Sequence, residues 1–250
     1  MIDPLERKIY AAICSHDGIR AREIARLAGC DHTTVNHWLY CSPFMRDLCY
    51  QDKEFCWHGL IRQGPRHYGL EDFCGYYAAV GEFLEQSEDE WFTALLEGCR
   101  RIGRNLNDTR GLYHSFRDSK AVMVSLFHDL QTVGFNGFSD WEIAFELRIR
   151  RSRMIRIYAD VLLVTESRVF SLEFKMKDEI DPGEVLQTAK YCEYLEVVFG
   201  PEYDVIPALV LTGASDLYTY TRIGETSAEL PVVSGDMLFN LLDEYLGILT

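Results

Sequence analysis

Residues Tyr158–Lys175 constrain the fold most, because two apolar runs flank the polar pair Glu166-Ser167. Apolar runs on both sides of a two-residue turn are typical of an antiparallel β-hairpin. Counting back along the two strands from this turn places Asp160 opposite Glu173. We therefore expect two carboxylates to meet among Val, Leu and Phe side chains.

A divalent cation would explain why two acids face each other there, since like charges on opposed strand positions are destabilising. Mg²⁺ prefers carboxylate oxygens and completes its shell with water and substrate phosphate. Lys175 projects to the same side of the strand as Glu173, two residues earlier, so its amine lies beside the acids. The pattern predicts a Mg²⁺ or Mn²⁺ site held by Asp160, Glu173 and the backbone carbonyl of Phe174.

The elements around this hairpin alternate between helix and strand. The Asp181-Pro182 start and Glu184 form a capping box, and Gln187 and Tyr191, four residues apart, share one side of the helix that follows. Hydrophobic periodicity predicts, in chain order, a helix at about 114–130, strands at Trp141–Ile149, Arg156–Val164 and Val169–Lys177, a helix at Pro182–Phe199, a strand at Val205–Leu211 and a helix near 235–249.

This grouping resembles the PD-(D/E)xK nuclease superfamily, whose core order of helix, meander, helix and strand matches residues 107–211. Gln187 and Tyr191 after the Glu173-x-Lys175 motif look like the Gln-x-x-x-Tyr branch, which includes recombination-type exonucleases. The resemblance implies an α/β fold with a mixed-sheet, restriction-endonuclease-like core. It also implies catalytic roles for Asp160, Glu173 and Lys175, with Gln187 and Tyr191 contacting the lysine or the DNA backbone.

The chain departs from the superfamily pattern at two places. Ala159 replaces the proline before the aspartate, and the helix at about 114–130 contains no glutamate to serve as a further ligand. A three-residue turn in the arginine-rich segment would bring Glu146 to the Asp160 side, whereas a two-residue turn would point it away. The fourth ligand therefore stays open, and the other candidates are His114, Asp118, His128 and Asp129.

Residues 1–62 predict three helices followed by a short hairpin. Asp31 is a good N-cap for the third helix, which runs to about Tyr40, and the two runs Met45–Tyr50 and Glu54–Leu60 suit a β-ribbon. The segment resembles a winged helix-turn-helix. That resemblance implies that the third helix reads DNA bases, with His32, Thr33, Asn36 and His37 as the contacting side chains.

Residues 63–106 open with a linker signal, Gln63-Gly64-Pro65, and continue with apolar residues that we interpret as a helical connector. The predicted organisation is a winged helix-turn-helix at 1–62, this connector at 63–106, and a nuclease-like domain at 107–250.

The net charge of −14 argues against indiscriminate binding to polyanions, but the charge is uneven. Arginines crowd residues 148–156, and we expect Arg151 and Arg153 to contact phosphates. Acidic stretches at 71–97 and after residue 202 suit a partner protein. These features predict a metal-dependent nuclease that hydrolyses phosphodiester bonds in DNA, as a homodimer. The alternative is a DNA-binding regulator or accessory subunit with an inactive nuclease-like domain, and RNA stays open as a substrate.

The eight cysteines contain no C-x-x-C pair, so we expect reduced, mostly buried thiols. Zinc at Cys49, Cys56 and His58 would need a spacing unlike familiar fingers. No apolar run approaches the roughly 20 residues that span a bilayer, which predicts a soluble, cytoplasmic protein without membrane contact.

Overall fold

The computed structural model describes residues 3–59, 70–104, 106, 109–151 and 156–249. It has a mixed α/β architecture with a seven-stranded mixed sheet and a separate three-stranded sheet. The helices are α1 Pro4–Ser15, α2 Ala21–Ala28, α3 His32–Cys41, α4 Pro43–Leu48, α5 Val80–Glu85, α6 Glu88–Arg101, α7 Thr109–Thr132, α8 Pro182–Phe199 and α9 Leu238–Leu246. The strands are β1 Ile19–Arg20, β2 Cys49–Gln51, β3 Cys56–Gly59, β4 Tyr76–Ala79, β5 Glu142–Arg151, β6 Arg156–Val164, β7 Arg168–Lys175, β8 Asp204–Leu211, β9 Tyr218–Arg222 and β10 Glu229–Ser234.

The large sheet has the strand order β4-β5-β6-β7-β8-β10-β9. The pairs β4–β5, β5–β6 and β6–β7 are antiparallel. Strand β8 lies parallel to β7 and β10 parallel to β8, and the edge strand β9 pairs antiparallel with β10. One apolar cluster joins the sheet to α6, α7 and α9, and a second joins it to α8 and the N-terminal helices. Strands covered on both sides read as continuous apolar runs, which is why isolated acids in β6 and β7 stand out in the sequence.

The predicted hairpin register is confirmed where the two strands pair, from Val161 opposite Leu172 to Val164 opposite Val169. The bounds of β6 and α8 match the prediction, and α7, β5, β7 and β8 differ from it only at their ends. Strands β9 and β10 were not anticipated. Proline lacks the N–H that a strand donates, and Pro231 in β10 weakens the strand pattern there.

The three N-terminal helices are confirmed. Gly29 takes the left-handed conformation (φ 71°) at the end of α2, and the Asp31 side chain accepts a hydrogen bond from the Thr34 N–H at the start of α3. The predicted strand over Met45–Leu48 is wrong, because these residues form α4. Ser42 caps that helix and Pro43 occupies its first turn, two local signals that outweigh the aromatic pattern.

The N-terminal region packs against α8, the helix that carries Gln187 and Tyr191. The Phe44 ring stacks on Tyr194 with centroids 5.5 Å apart, and Arg7 Nη2 lies 3.2 Å from Glu196 Oε2. These contacts tie α1 and α4 to the layer that covers the candidate site.

The predicted helical connector is wrong at Tyr76–Ala79, which forms β4 and pairs with β5. Tyr76 and Ala78 are buried while Tyr77 and Ala79 are less so, a period-two pattern typical of a strand. Helices α5 and α6 confirm the helical prediction from residue 80 to residue 101, whereas Leu70–Asp72 forms only a short 3-10 helix. The linker signal at 63–65 lies outside the described residues.

All eight cysteines lie in described parts of the chain and are free thiols, five of them buried. His58 contacts Asp17 and Asp52, so the zinc grouping with Cys49 and Cys56 does not form. Within the described ranges, the helices are too short or too polar to cross a bilayer.

Candidate functional site

Asp160 and Glu173 each lie one position beyond the last paired rung of β6 and β7, Val161 with Leu172, and the same register continued by one residue would place them opposite each other. Asp160 Oδ2 accepts a hydrogen bond of 2.8 Å from the Phe174 backbone N–H. The carboxylate thus takes the place that a backbone carbonyl of β6 would hold in a regular ladder. In a strand, the N–H and C=O of one residue point to the same side, so the Phe174 carbonyl is directed toward β6 as well.

Glu173 is the centre of a chain of polar contacts between β7 and α8. Lys175 Nζ lies 2.8 Å from Glu173 Oε1, and Gln187 Nε2 donates to the same oxygen at 3.1 Å. Gln187 Nε2 also donates to the Tyr191 hydroxyl at 2.6 Å. Helical spacing places Gln187 and Tyr191 together over the sheet, and the structure brings all five predicted catalytic residues into one region.

Glu146 belongs to this region too. Phe145 faces Val161 and Leu147 faces Ala159, so the intervening Glu146 lies opposite Asp160. The arginine-rich turn at 152–155 lies outside the described residues, but the pairing of Arg151 with Arg156 beside it differs from both registers considered from the sequence. A further irregularity between Arg148 and Arg150 shifts the register.

The backbone at Glu146 explains why strand periodicity does not predict its orientation. Its φ of 56° is in the left-handed region, which is uncommon for residues other than glycine. Phe145 packs in the cluster with α7, whereas Leu147 packs in the cluster with α8. The side-chain alternation is therefore interrupted at Glu146, whose carboxylate is buried.

Arg104 was not among the predicted site residues. Its Nε lies 2.7 Å from Glu146 Oε2, and its guanidinium carbon lies 4.5 Å from the centre of the Tyr158 ring. Gly103 (φ 74°) reverses the chain after α6, and the Arg104 N–H donates to the Cys99 carbonyl at 2.8 Å. The sequence signal was this glycine-arginine pair at a helix end, where a left-handed glycine is common.

Two glycines let α6 deliver Arg104. A Cβ on Gly98 would lie 1.8 Å from the Gly75 carbonyl oxygen, and a Cβ on Gly75 would lie 2.7 Å from Cys99 Sγ. The end of α6 therefore packs directly on the backbone that precedes β4.

Burial and mutual repulsion dominate the electrostatics of the three acids, Glu146, Asp160 and Glu173, which we name the acid cluster. Burial, and then the charge of Asp160, raise the pKa of Glu146 and of Glu173 well above the ordinary range. Burial also raises the pKa of Asp160, against the opposing effects of Lys175 and the Phe174 N–H. Three carboxylates thus share two neighbouring cations, Lys175 and Arg104.

Lys175 stays protonated in this setting. Burial alone would lower its pKa, but the negative charges of Glu173 and Asp160 outweigh burial and raise it. Its side chain is 24% exposed, so the amine borders solvent while Glu173 is buried beneath it.

In the described parts of the chain, no three His, Cys, Asp or Glu side chains converge closely enough to form a metal-binding group. The acids instead contact donors of the protein itself: Lys175 and Gln187 on Glu173, Arg104 on Glu146, and the Phe174 N–H on Asp160. A cation entering the acid cluster would have to replace some of these contacts.

The four candidates for a further metal ligand on α7 are not part of the site. His114 and His128 are exposed on α7, Asp118 and Asp129 are partly buried, and no described contact joins them to the acid cluster.

The predicted DNA-contacting residues lie apart from the acid cluster. His32, Thr33 and His37 are exposed on α3, and the partly buried Asn36 has its Nδ2 3.4 Å from His32 Nδ1. The side chain of Arg151 and the whole of Arg153 lie outside the described residues.

Comparisons with known proteins identify no relative from which a function could be inferred, so the proposal below is based on the geometry of the acid cluster. Neither protein-family models nor curated proteins match the chain.

Proposed function

We propose that the protein is a metal-dependent nuclease that hydrolyses phosphodiester bonds in DNA, with Asp160, Glu173 and Lys175 at its centre. The observation that carries the proposal is the crowding of three acids and an amine where β5, β6 and β7 meet under α8. Buried like charges are costly, and they persist in proteins where a ligand of opposite charge compensates them.

The donors are carboxylate and carbonyl oxygens, the type that Mg²⁺ or Mn²⁺ prefers, and the acids would have to close around the ion, because the described side chains do not yet converge into a metal-binding group. Asp160, Glu173, the Phe174 carbonyl and Glu146 would hold it, and the buried Glu146 Oε2 has no hydrogen-bond donor aligned with it. Such an ion, when bound, polarises the scissile phosphate and lowers the pKa of a coordinated water.

The remaining residues position the substrate and its charges. Lys175 keeps its proton, so it neutralises a non-bridging phosphate oxygen or orients the attacking water rather than acting as a base. Gln187 holds Glu173 Oε1 and the Tyr191 hydroxyl in place, which orients the carboxylate toward the centre of the site.

The topology supports a restriction-endonuclease-like core, since α7, the meander β5–β7, α8 and β8 follow one another in that order. The N-terminal order of three helices with the antiparallel sheet β1-β3-β2 supports a winged helix-turn-helix. In this proposal α3 binds the substrate duplex through His32, Thr33, Asn36 and His37, and Arg151 and Arg153 contact phosphates. A homodimer would cut both strands.

The test is cleavage of linear DNA, circular DNA and RNA with Mg²⁺, Mn²⁺ or EDTA. Asp160→Asn, Glu173→Gln and Lys175→Ala should each reduce cleavage by at least about a hundredfold. Glu166→Gln is the matched control, because Glu166 is an exposed acid at the turn of the same hairpin. If the wild type is inert on every substrate with both metals, the nuclease proposal is wrong.

A DNA-binding regulator is the second candidate, favoured by the observation that each acid already contacts a donor of the protein. Binding of a duplex by the wild type and by Lys175→Ala with equal affinity, without cleavage in any sample, would support it.

A further inference from the structure

Arg104, three residues after the end of α6, differs from the last two arginines of that helix in its contacts. Arg101 Nη2 donates to the Glu71 carbonyl, and the side chain of Arg100 is exposed. Arg104 instead reaches the acid cluster, where its side chain is 26% exposed and Glu146 is 4% exposed. Its guanidinium therefore lies between a buried acid and solvent.

The contact between Arg104 and Glu146 is close but incompletely satisfied. Arg104 Nε and Glu146 Oε2 are 2.7 Å apart, yet they are not aligned for a hydrogen bond, and both buried atoms lack such a partner. A guanidinium has five N–H donors in a planar fork that matches two oxygens of a phosphate. An ion pair of this kind leaves most of that fork available.

Apart from Glu146, the described groups that hold the guanidinium in place do not accept hydrogen bonds from its N–H groups. Tyr158 stacks on it at 4.5 Å, and the Gly103 turn with the Gly75–Gly98 contact fixes the backbone from which it extends. A side chain held by stacking and by a rigid backbone loses less conformational freedom when it binds a ligand.

We propose that Arg104 binds a phosphate group of the substrate, and that Glu146 is the partner of its guanidinium when neither cation nor substrate is bound. When Glu146 turns to a divalent cation, the guanidinium is released to bind a non-bridging oxygen of the substrate backbone. The inference rests on the proposed function for its substrate, but it concerns the exchange of partners at Arg104 and does not require cleavage. Arg104 would add a phosphate contact at the acid cluster itself, beside the contacts proposed for Arg151 and Arg153.

The experiment measures binding of a fluorescein-labelled DNA duplex in EDTA, so that neither metal nor cleavage contributes. Glu146→Gln should tighten binding by about tenfold, because the guanidinium loses its acidic partner. Arg104→Gln in that background should remove the gain. Arg100→Gln is the matched control, with the same change of charge on the exposed side of α6, and it should leave most of the gain in place.

A second measurement follows Mn²⁺ binding by titration calorimetry on wild type, Arg104→Gln and Arg100→Gln. Without Arg104, Glu146 no longer has to exchange partners, so Arg104→Gln should bind Mn²⁺ several-fold more tightly while Arg100→Gln should not. Thermal unfolding of each variant shows that it is folded.

The outcomes separate this inference from the nuclease proposal. An Arg104-dependent gain in an inactive protein would support the phosphate site and contradict the nuclease. Cleavage by the wild type with Arg104→Gln and Arg100→Gln behaving alike in both binding experiments would overturn the role of Arg104 and leave the nuclease standing.

Discussion

Two clusters of charged side chains differ in how they are neutralised. In the N-terminal region, His58 Nδ1 and Nε2 each lie 2.9 Å from a carboxylate oxygen, of Asp17 and Asp52 respectively, and its ring stacks on Tyr50. The Asp52 carboxylate also accepts the Glu54 and Cys56 N–H groups. In the C-terminal sheet, the acid cluster has three buried or half-buried carboxylates, and Glu146 Oε2 lacks an aligned donor.

The difference indicates that the His58 cluster stabilises the fold, whereas the acid cluster is the better candidate for binding a ligand. The contacts of His58 raise its pKa, chiefly through Asp52, so folding favours the charges that are present. In the acid cluster, burial raises the pKa of Glu146 and Glu173, so folding opposes their ionisation. One cluster stabilises the protein by itself, whereas full ionisation of the other is opposed by folding and would be favoured by the cation of the proposed function.

The largest expected effect separates activity from stability. Asp160→Asn should reduce cleavage by at least about a hundredfold, yet it should not lower the free energy of unfolding in EDTA, because it removes a like charge and keeps an acceptor for the Phe174 N–H. His58→Gln should instead lower the free energy of unfolding and leave the cleavage rate unchanged. Cleavage rates and urea unfolding of both variants measure these two effects. A large loss of stability in Asp160→Asn would contradict the view that the acid cluster does not stabilise the fold.

Gly98→Ala should displace Arg104 from Glu146 of the acid cluster while leaving the His58 contacts intact. The new Cβ would lie 1.8 Å from the Gly75 carbonyl oxygen, so the end of α6 and Arg104 must move. We expect a loss of about 1–3 kcal/mol in the free energy of unfolding, as for other overpacked cores. Gly134→Ala is a control with open space around its Cβ, although its φ of 83° adds some strain. Equal stability of Gly98→Ala and wild type would show that the contact is not rigid.

The pH dependence should sharpen the comparison. Because folding raises the pKa of Glu146 and Glu173, the folded protein holds more protons than the unfolded chain above the ordinary carboxyl range near pH 4.5. In EDTA, the free energy of unfolding should fall as pH rises toward the raised values, by at most about 1.4 kcal/mol per pH unit for each proton. Glu173→Gln should flatten this fall, as should saturating Mg²⁺; unfolding curves that do not change with either would exclude the assigned cause.

The smallest effect belongs to His58. Its folded pKa is raised, so its stabilisation is fully present below pH of about 6.5 and is lost as pH rises through the raised value. His58→Gln should cost roughly 0.5–1 kcal/mol at pH 6, given the partial exposure of its partners, and less at alkaline pH. Unlike the effect of the acids, this difference should not respond to Mg²⁺. Thermal unfolding at several pH values, with and without Mg²⁺, measures it.

Local sequence determined the half of the candidate site that lies on one hairpin and one helix. A two-residue turn sets the register that puts Asp160 opposite Glu173, and helical spacing puts Gln187 beside Tyr191. Both relations depend on residues close in the chain, so the sequence alone predicts them. The N-cap of α3 and the bounds of β6 and α8 were predictable for the same reason.

Only the tertiary structure decided the rest. Glu146 joins the acids because its left-handed backbone interrupts the alternation of β5, and Arg104 reaches it because two distant glycines, Gly75 and Gly98, let α6 approach the sheet. Residues Tyr76–Ala79 become a strand because the edge of β5 is free to pair with them. These features arise from contacts between segments far apart in sequence, and neither periodicity nor local propensity contains information about which segments will meet.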